Sequence, residues 1–346
     1  MTADNGKDQG GDRYREAGVR LEAAEDVVVR IRKLVDKRAS QAESLSAIGG
    51  FAGAYALESG PTLLAGADGV GTKVLVARAM GDARTIGLDL VAMNVNDIVA
   101  AGGRPLFFLD YIAAAQLDGD LLETLIAGML DGCEQAGCRL LGGETAEMPG
   151  LYRPDDYDLA GFAVGLRVFE PRAGRVGDAI VGILAEGFHA NGFSLVRKIV
   201  ETKGLDYHCA YAAIDHRVLG EALLAPTPIY VPAVLDVLNA VGPHVRGLAH
   251  ITGGGIIDNV PRALGDPALG VELERAAWRL PRLLTWFQEL GELSAEEMAH
   301  TFNGGLGFAL VVDPEASEAV VGTLARWGLC GVRVGTVVDR SGVHWR

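Results

Sequence analysis

Three carboxylates and one lysine stand where a glycine-rich chain could bring them against a phosphorylated ligand. Asp68 opens the segment Asp68-Gly-Val-Gly-Thr-Lys73, Asp97 follows Asn94 and Asn96, and Glu144 lies in Gly142-Gly-Glu-Thr145 with Glu147 close by. Carboxylate oxygens contributed by separate elements are the hard donors magnesium takes, and the ion would let an acidic protein hold a triphosphate by bridging its oxygens. Asp68, Asp97 and Glu144 are therefore the candidate metal ligands, and Lys73 would neutralise a phosphoryl group in transfer. Singly, each acid also suits a helix cap or a solvated surface. His189 sits in the turn Gly187-Phe-His-Ala-Asn-Gly192, where it and Asn191 could move a proton or contact a substrate. His250 precedes the turn Thr252-Gly253-Gly254-Gly255.

Glycine collects at five junctions: Gly66 to Lys73, Gly142 to Thr145, Gly187 to Gly192, Thr252 to Gly255 and Asn303 to Gly307. A backbone without Cβ can turn its N–H groups onto phosphate oxygens, so Gly69, Gly71 and Thr72 read as one cradle and Thr252 to Gly255 as another. The spacing is not that of a P-loop, because Thr72 intervenes between Gly71 and Lys73, and no G-x-G-x-x-G follows a strand. Cys133, Cys138, Cys209 and Cys330 have neither zinc spacing nor the density of a disulfide framework.

The elements that must position these groups follow an α/β (α+β) order. A chain of 346 residues, 49% hydrophobic and 22% charged, is larger than one core usually serves, which implies two domains. Its 45 acidic against 31 basic side chains give a net charge of −14, a field that disfavours nucleic acid and anionic membranes as partners. No stretch reaches the roughly 18 apolar residues of a membrane span, and Met1 to Asp12 is polar, so a soluble cytoplasmic protein is expected.

Residues 1–13 read as a mobile tail, and Glu22 to Arg38 as a helix with Val27, Val28, Ile31, Leu34 and Val35 on one side. Its other side carries Arg30, Arg32, Lys33, Lys37 and Arg38, a solvated face or a phosphate contact. A strand Thr62 to Ala67, a helix Val74 to Met80, an amphipathic helix Leu88 to Ala101 and a buried strand Leu106 to Ala113 follow. Next come a helix Gly119 to Ala136 and strands Arg139 to Leu141 and Asp158 to Val168, which leave Asp68 and Glu144 just past strand ends.

The Gly/Pro/Arg-rich connector Pro171 to Gly177 divides residues 14–170 from residues 171–346. The second half offers a strand Asp178 to Leu184, helices Phe193 to Lys203, Arg217 to Leu224 and Ile229 to Ala240, and a strand Leu248 to Ile251. A helix Ile256 to Leu264, a strand Gly270 to Glu274, and strand, helix, strand from Gly307 to Val338 complete it. The repeated order suggests an old duplication.

Taken together, Asp68-Gly-Val-Gly-Thr-Lys73, Ile86-Gly-Leu-Asp-Leu-Val-Ala-Met93, Val95-Asn-Asp97, Pro105-Leu-Phe-Phe-Leu-Asp-Tyr111, Gly142-Gly-Glu-Thr-Ala-Glu-Met-Pro-Gly150 and His250-Ile-Thr-Gly-Gly-Gly255 resemble the aminoimidazole ribonucleotide synthetase family, also called phosphoribosylformylglycinamidine cyclo-ligases. The likeness runs from Tyr14 to Val338 and includes Asn191-Gly-Phe-Ser-Leu-Val-Arg-Lys-Ile199 and Leu224-Ala-Pro-Thr-Pro-Ile-Tyr-Val231. It implies a homodimer whose N-terminal sheets pair into a barrel, with ATP bound by residues 14–170 and a small phosphoribosyl substrate held with help from residues 171–346. The implied reaction phosphorylates the formyl amide oxygen of formylglycinamidine ribonucleotide, after which the amidine nitrogen closes the imidazole ring and phosphate leaves.

The resemblance also assigns Asp68, Asp97 and Glu144 to magnesium-ATP, Lys73 to the phosphate side, His189 and Asn191 to the reacting centre, Arg32 to the nucleotide, and Thr252 to Gly255 to the substrate phosphate. Departures from the family pattern are Arg15, Arg20-Leu21-Glu22, Arg32, Asn94, Gly103, Ala190 and Phe308. They bear on the substrate more than on the fold, so a paralogue activating another amide or carbamoyl oxygen is the alternative. A nucleotide-binding protein without turnover is a third reading.

Overall fold

The computed structural model describes residues 50–346 and, ahead of them, Val27, Val29, Arg30, Ile31 and Lys33 in helical conformation. Val27 and Ile31, expected in an apolar stripe, are 49% and 45% exposed. Arg32 and residues 1–13 lie outside the described residues.

The first layer is a five-stranded sheet in the order β1 (Gly53–Ala56), β2 (Thr62–Gly69), β5 (Tyr157–Arg167), β3 (Gly103–Ala114), β4 (Arg139–Glu147). After β2 the chain turns into α1 (Val74–Met80) and then α2 (Arg84–Ala100). Within this sheet only β3 and β4 run parallel, and the crossover between them is α3 (Gly119–Ala136), which Asp118 caps by accepting from the N–H groups of Asp120 and Leu121. Alternation sends Leu64, Phe108, Ile112, Leu159 and Ala163 to one face, where they are buried against α2. The other face leaves Tyr55, Leu109 and Phe162 exposed.

The expectation of an amphipathic helix at 88–101 is corrected. Helix α2 starts at Arg84 and buries residues on every side, including Asp89, Asn94 and Asn96, because it is wedged between the first sheet and the second layer. The strand around Asp68 and the strand around Glu144 also run further than their apolar patterns suggest, so both acids lie within strands and not beyond them.

The second layer is a six-stranded sheet ordered β13 (Gly342–Trp345), β10 (Gly270–Leu273), β12 (Gly331–Val338), β6 (Ala179–Leu184), β11 (Leu306–Val312), β9 (Val245–His250). Strand β11 is buried along its whole length, and each fully enclosed aliphatic side chain there contributes about 1.5–3 kcal/mol. Helices α4 (Phe193–Thr202), α5 (Leu219–Leu224), α6 (Val231–Val241) and α7 (Gly255–Arg262) cover this sheet with three later ones. The helix expected from Arg217 begins at Leu219, since β8 (Arg217–Val218) pairs with β7 (Ala210–Tyr211) in a small ribbon. One apolar cluster runs from Leu64 and Phe108 through Val95 to Leu248 and Phe308, so the two layers share a core.

Candidate active site at the seam of the two layers

Strand β1 pairs with β2 only as far as Ala65, which leaves the outer edge of Asp68 without a neighbouring strand among the described residues. Asn94 on α2 takes that place. Its Oδ1 accepts from the Asp68 N–H at 3.0 Å, and its Nδ2 donates to the Asp68 carbonyl at 3.2 Å and to the Leu90 carbonyl at 2.8 Å. Each such backbone group left unpaired in a buried setting costs about 1–3 kcal/mol, so Asn94 fixes the strand end from which Asp68 projects. The facing residue on β5 is Gly161, where a Cβ would run into Asn94 and Phe108.

One turn further along α2, Asp97 meets the second layer. Its Oδ1 lies 2.8 Å from Nδ1 of His250 at the end of β9, an arrangement in which the Nδ1–H donates. The Nε2 of His250 is buried with no partner among the described residues. Asp68 is close enough to feel both groups. Burial, and after it the charge of Asp97, push its carboxyl up to about 6, against the opposing effects of the Gly69 N–H and His250.

The sign of the resulting pH dependence is definite. Between the ordinary value of 3.8 and about 6 the folded protein binds more protons at Asp68 than the unfolded chain, so this group's contribution to stability falls as pH rises through that window. A divalent cation needs the ionised form. Its affinity should therefore rise several-fold between about pH 5 and 7.5, as calorimetric titration with magnesium would read, and a pH-independent affinity would exclude Asp68 as a ligand.

Four loops converge on this pair. His189 adopts a left-handed backbone (φ 60°), is buried, and has no hydrogen-bond partner among the described residues on either ring nitrogen. Burial, followed by the nearby His250 and Lys73, pushes its imidazole down to about 3, so the ring is neutral at physiological pH. Asn303 ties this turn to its neighbour by donating to the Gly187 carbonyl at 2.8 Å and accepting from Gly305 N–H at 3.0 Å. Asn259 donates to the carbonyls of Gly253 at 3.0 Å and Gly255 at 2.8 Å, holding the triple-glycine turn at the start of α7. The side chain of Asn191 lies between Met93 on α2 and Gly253, and Thr72 and Ser194 hydroxyls meet at 3.2 Å.

Two expected members stand apart. Across the sheet, Asp68, Gly161, Asp110 and Gly143 lie in register and share the α2 face, so Glu144, next along β4, points to the open face. Three strand spacings separate it from Asp68, about 14 Å. A single chain therefore does not assemble Asp68, Asp97 and Glu144 around one ion, and among the described residues no group of three or more His, Cys, Asp or Glu side chains could hold a metal. Lys73 does not face a cradle either. Its ammonium is fully enclosed and rests on the Asp89 carboxylate.

Sequence reading gives no individual role to Asn96, Asp89, Thr227, Tyr230, Asn259 or Asn303. The available signal is a polar residue where helical spacing calls for an apolar one, as at Asp89 between Leu88 and Leu90.

A five-stranded sheet backed by the largely buried α2, a second α/β layer, and a seam of acids and glycine turns between them define a two-layer α/β architecture. Residues 49–167 match the N-terminal domain, and residues 175–346 the C-terminal domain, of AIR synthase related proteins. The chain belongs to the aminoimidazole ribonucleotide synthetase family, the phosphoribosylformylglycinamidine cyclo-ligases, which are ATP-dependent ligases. It is 48% identical to the phosphoribosylformylglycinamidine cyclo-ligase of Gloeobacter violaceus over 96% of this chain and 99% of that one. The chloroplastic enzyme of the same name from Arabidopsis thaliana is 44% identical over 96% of this chain and 83% of its own. A crystal structure of a Thermus thermophilus protein shares the fold, with a TM-score of 0.67 at 23% identity, covering 94% of this chain and 98% of that one.

Proposed function

We propose that this chain closes the imidazole ring of aminoimidazole ribonucleotide, using ATP to phosphorylate the formyl amide oxygen of formylglycinamidine ribonucleotide. The observation that carries the reading is the meeting of Asp68, Asp97 and His250 at a seam lined by glycine turns, in a chain with this family's sequence. An amide oxygen is a poor leaving group and phosphate a good one, so the work left to the protein is positioning and charge stabilisation.

Asp68 and Asp97 would hold magnesium. Two crowded, partly desolvated carboxylates, one of them pushed up to about 6, suit a divalent cation because it relieves their repulsion. The N–H groups of Gly69, Gly71 and Thr72 would face the nucleotide phosphates, and those of Thr252 to Gly255, at the N-terminus of α7, the substrate phosphate. A neutral His189, with Asn191, would accept or orient the amidine proton. The exposed face bearing Tyr55, Leu109, Phe162 and Glu144 would pair with the same face of a second copy to form the homodimer.

The test is direct. Purified protein supplied with formylglycinamidine ribonucleotide, ATP and magnesium should release ADP, phosphate and the aminoimidazole product in equal amounts. ADP release that ignores this substrate, or no product at high enzyme concentration, would move the assignment to another amide.

A further inference from the structure

Several buried polar side chains that this chemistry leaves unused gather at the seam of the two layers. Lys73 and Asp89 have no solvent exposure, and Nζ lies 2.6 Å from Oδ2. The same ammonium donates to the Ala225 carbonyl at 2.9 Å and sits 5.5 Å from the centre of the Phe193 ring. The other carboxylate oxygen of Asp89 accepts both the N–H and the hydroxyl of Thr227, each at 2.7 Å. Further along α2, Asn96 donates to the Pro228 carbonyl at 2.9 Å and accepts from the Tyr230 N–H at 2.9 Å.

The segment receiving these bonds belongs to the second layer. Ala225 to Tyr230 contains Pro226 and Pro228, forms no helix or strand, and has the Ala225 and Pro228 carbonyls and the Thr227 and Tyr230 N–H groups met by side chains of the first layer. A phosphate could reach the Lys73 ammonium only by moving the groups that enclose it, since Lys73 has no solvent exposure and is held by Asp89 and the Ala225 carbonyl. Burial pushes Lys73 down and Asp89 up, and their mutual attraction opposes both shifts, so removing one partner strands the other.

We propose that Lys73, Asp89 and Asn96 form a clamp on Ala225 to Tyr230 that sets how the second layer's His189, Tyr230 and His250 meet Asp68 and Asp97. Lys73 is then a positioning residue and not a phosphate ligand. The catalytic part of this inference rests on the function proposed above; the mechanical part does not.

The variants are Lys73→Met, Asp89→Ala and Thr227→Val, with Thr227→Ser as the conservative control that keeps the hydroxyl. Each of the first three should speed hydrogen exchange at the Thr227 or Tyr230 amide at least about tenfold in the substrate-free protein, whereas Thr227→Ser should leave it unchanged. Misplacement near the reacting centre should lower kcat by roughly a hundredfold, with the KM for ATP within about threefold of its starting value.

A phosphate-ligand role predicts the opposite. Lys73→Met alone would then raise the KM for ATP strongly, and Thr227→Val would leave kcat, KM and exchange untouched; that result overturns the clamp. If Lys73→Met or Asp89→Ala fails to fold, the Thr227 pair decides alone. Faster exchange in a protein that shows no ring-closing turnover would overturn the proposed function and leave the clamp standing.

Discussion

Asp97→Asn should yield a folded protein whose ring-closing turnover has fallen by about a hundred- to a thousandfold, the loss typical of removing one charge-stabilising group, roughly 3–4 kcal/mol of barrier. Asparagine keeps the shape and can still accept from His250 Nδ1, which Asp97 now does at 2.8 Å. What it removes is the charge. Two further readouts separate this from a structural defect. The charge of Asp97 is, after burial, the main cause holding the Asp68 carboxyl up at about 6, so the acid limb of magnesium binding should move to lower pH in the variant. Magnesium affinity at neutral pH should fall, since one hard oxygen ligand has become neutral. A variant with unchanged turnover and an unchanged acid limb would remove Asp97 from the site.

The features legible in the sequence are those whose physics is local. The order strand, glycine turn, helix across residues 62–80 follows from an apolar run, a cluster of glycines and a helical repeat, all close together along the chain. The acids stand out because carboxylates beside glycines are unusual neighbours for a core.

The missed features depend on distant chain. Nothing near Lys73 announces that its ammonium is closed off by Asp89 and by a carbonyl 152 residues away. Asn94 reads as a departure from the family, and its purpose emerges only where β1 stops pairing at Ala65 and leaves Asp68 an open edge. The facing of Glu144 turns on a register shift between β3 and β4, beside Gly142 and Gly143, where a period of two cannot be counted from sequence. Helix α2 looks amphipathic because its polar residues read as a solvent face, although Asp89 and Asn96 are spent on the second layer and Asn94 on Asp68.

Gly307→Ala should be strongly damaging to the second layer and to the site together. Residue 307 sits at a register shift between β11 and β6 and holds its carbonyl on the Ile251 N–H. A Cβ there would overlap the Tyr230 hydroxyl and stand 2.7 Å from Cε1 of His189 and 2.8 Å from Cζ of Tyr230. Tyr230 cannot step aside. Its ring is fully buried, packs 5.5 Å from Phe308, lies between His189 and His250 with both centroids at 6.4 Å, and its N–H is held by Asn96. Overpacking of this kind costs about 3 kcal/mol, which the urea midpoint should register, and it moves both histidines, so turnover should fall further than stability alone explains.

Adding Tyr230→Phe removes the worst overlap together with a buried hydroxyl that has no partner among the described residues. The double variant should accordingly recover part of the lost stability, since the approaches of 2.7 and 2.8 Å remain. It should not recover turnover, because the phenolic hydroxyl that Tyr230→Phe removes lies between His189 and His250 of the candidate site. Full recovery of both quantities would reduce Tyr230 to a space-filling ring and leave Asp68, Asp97, His189 and His250 as the candidate groups.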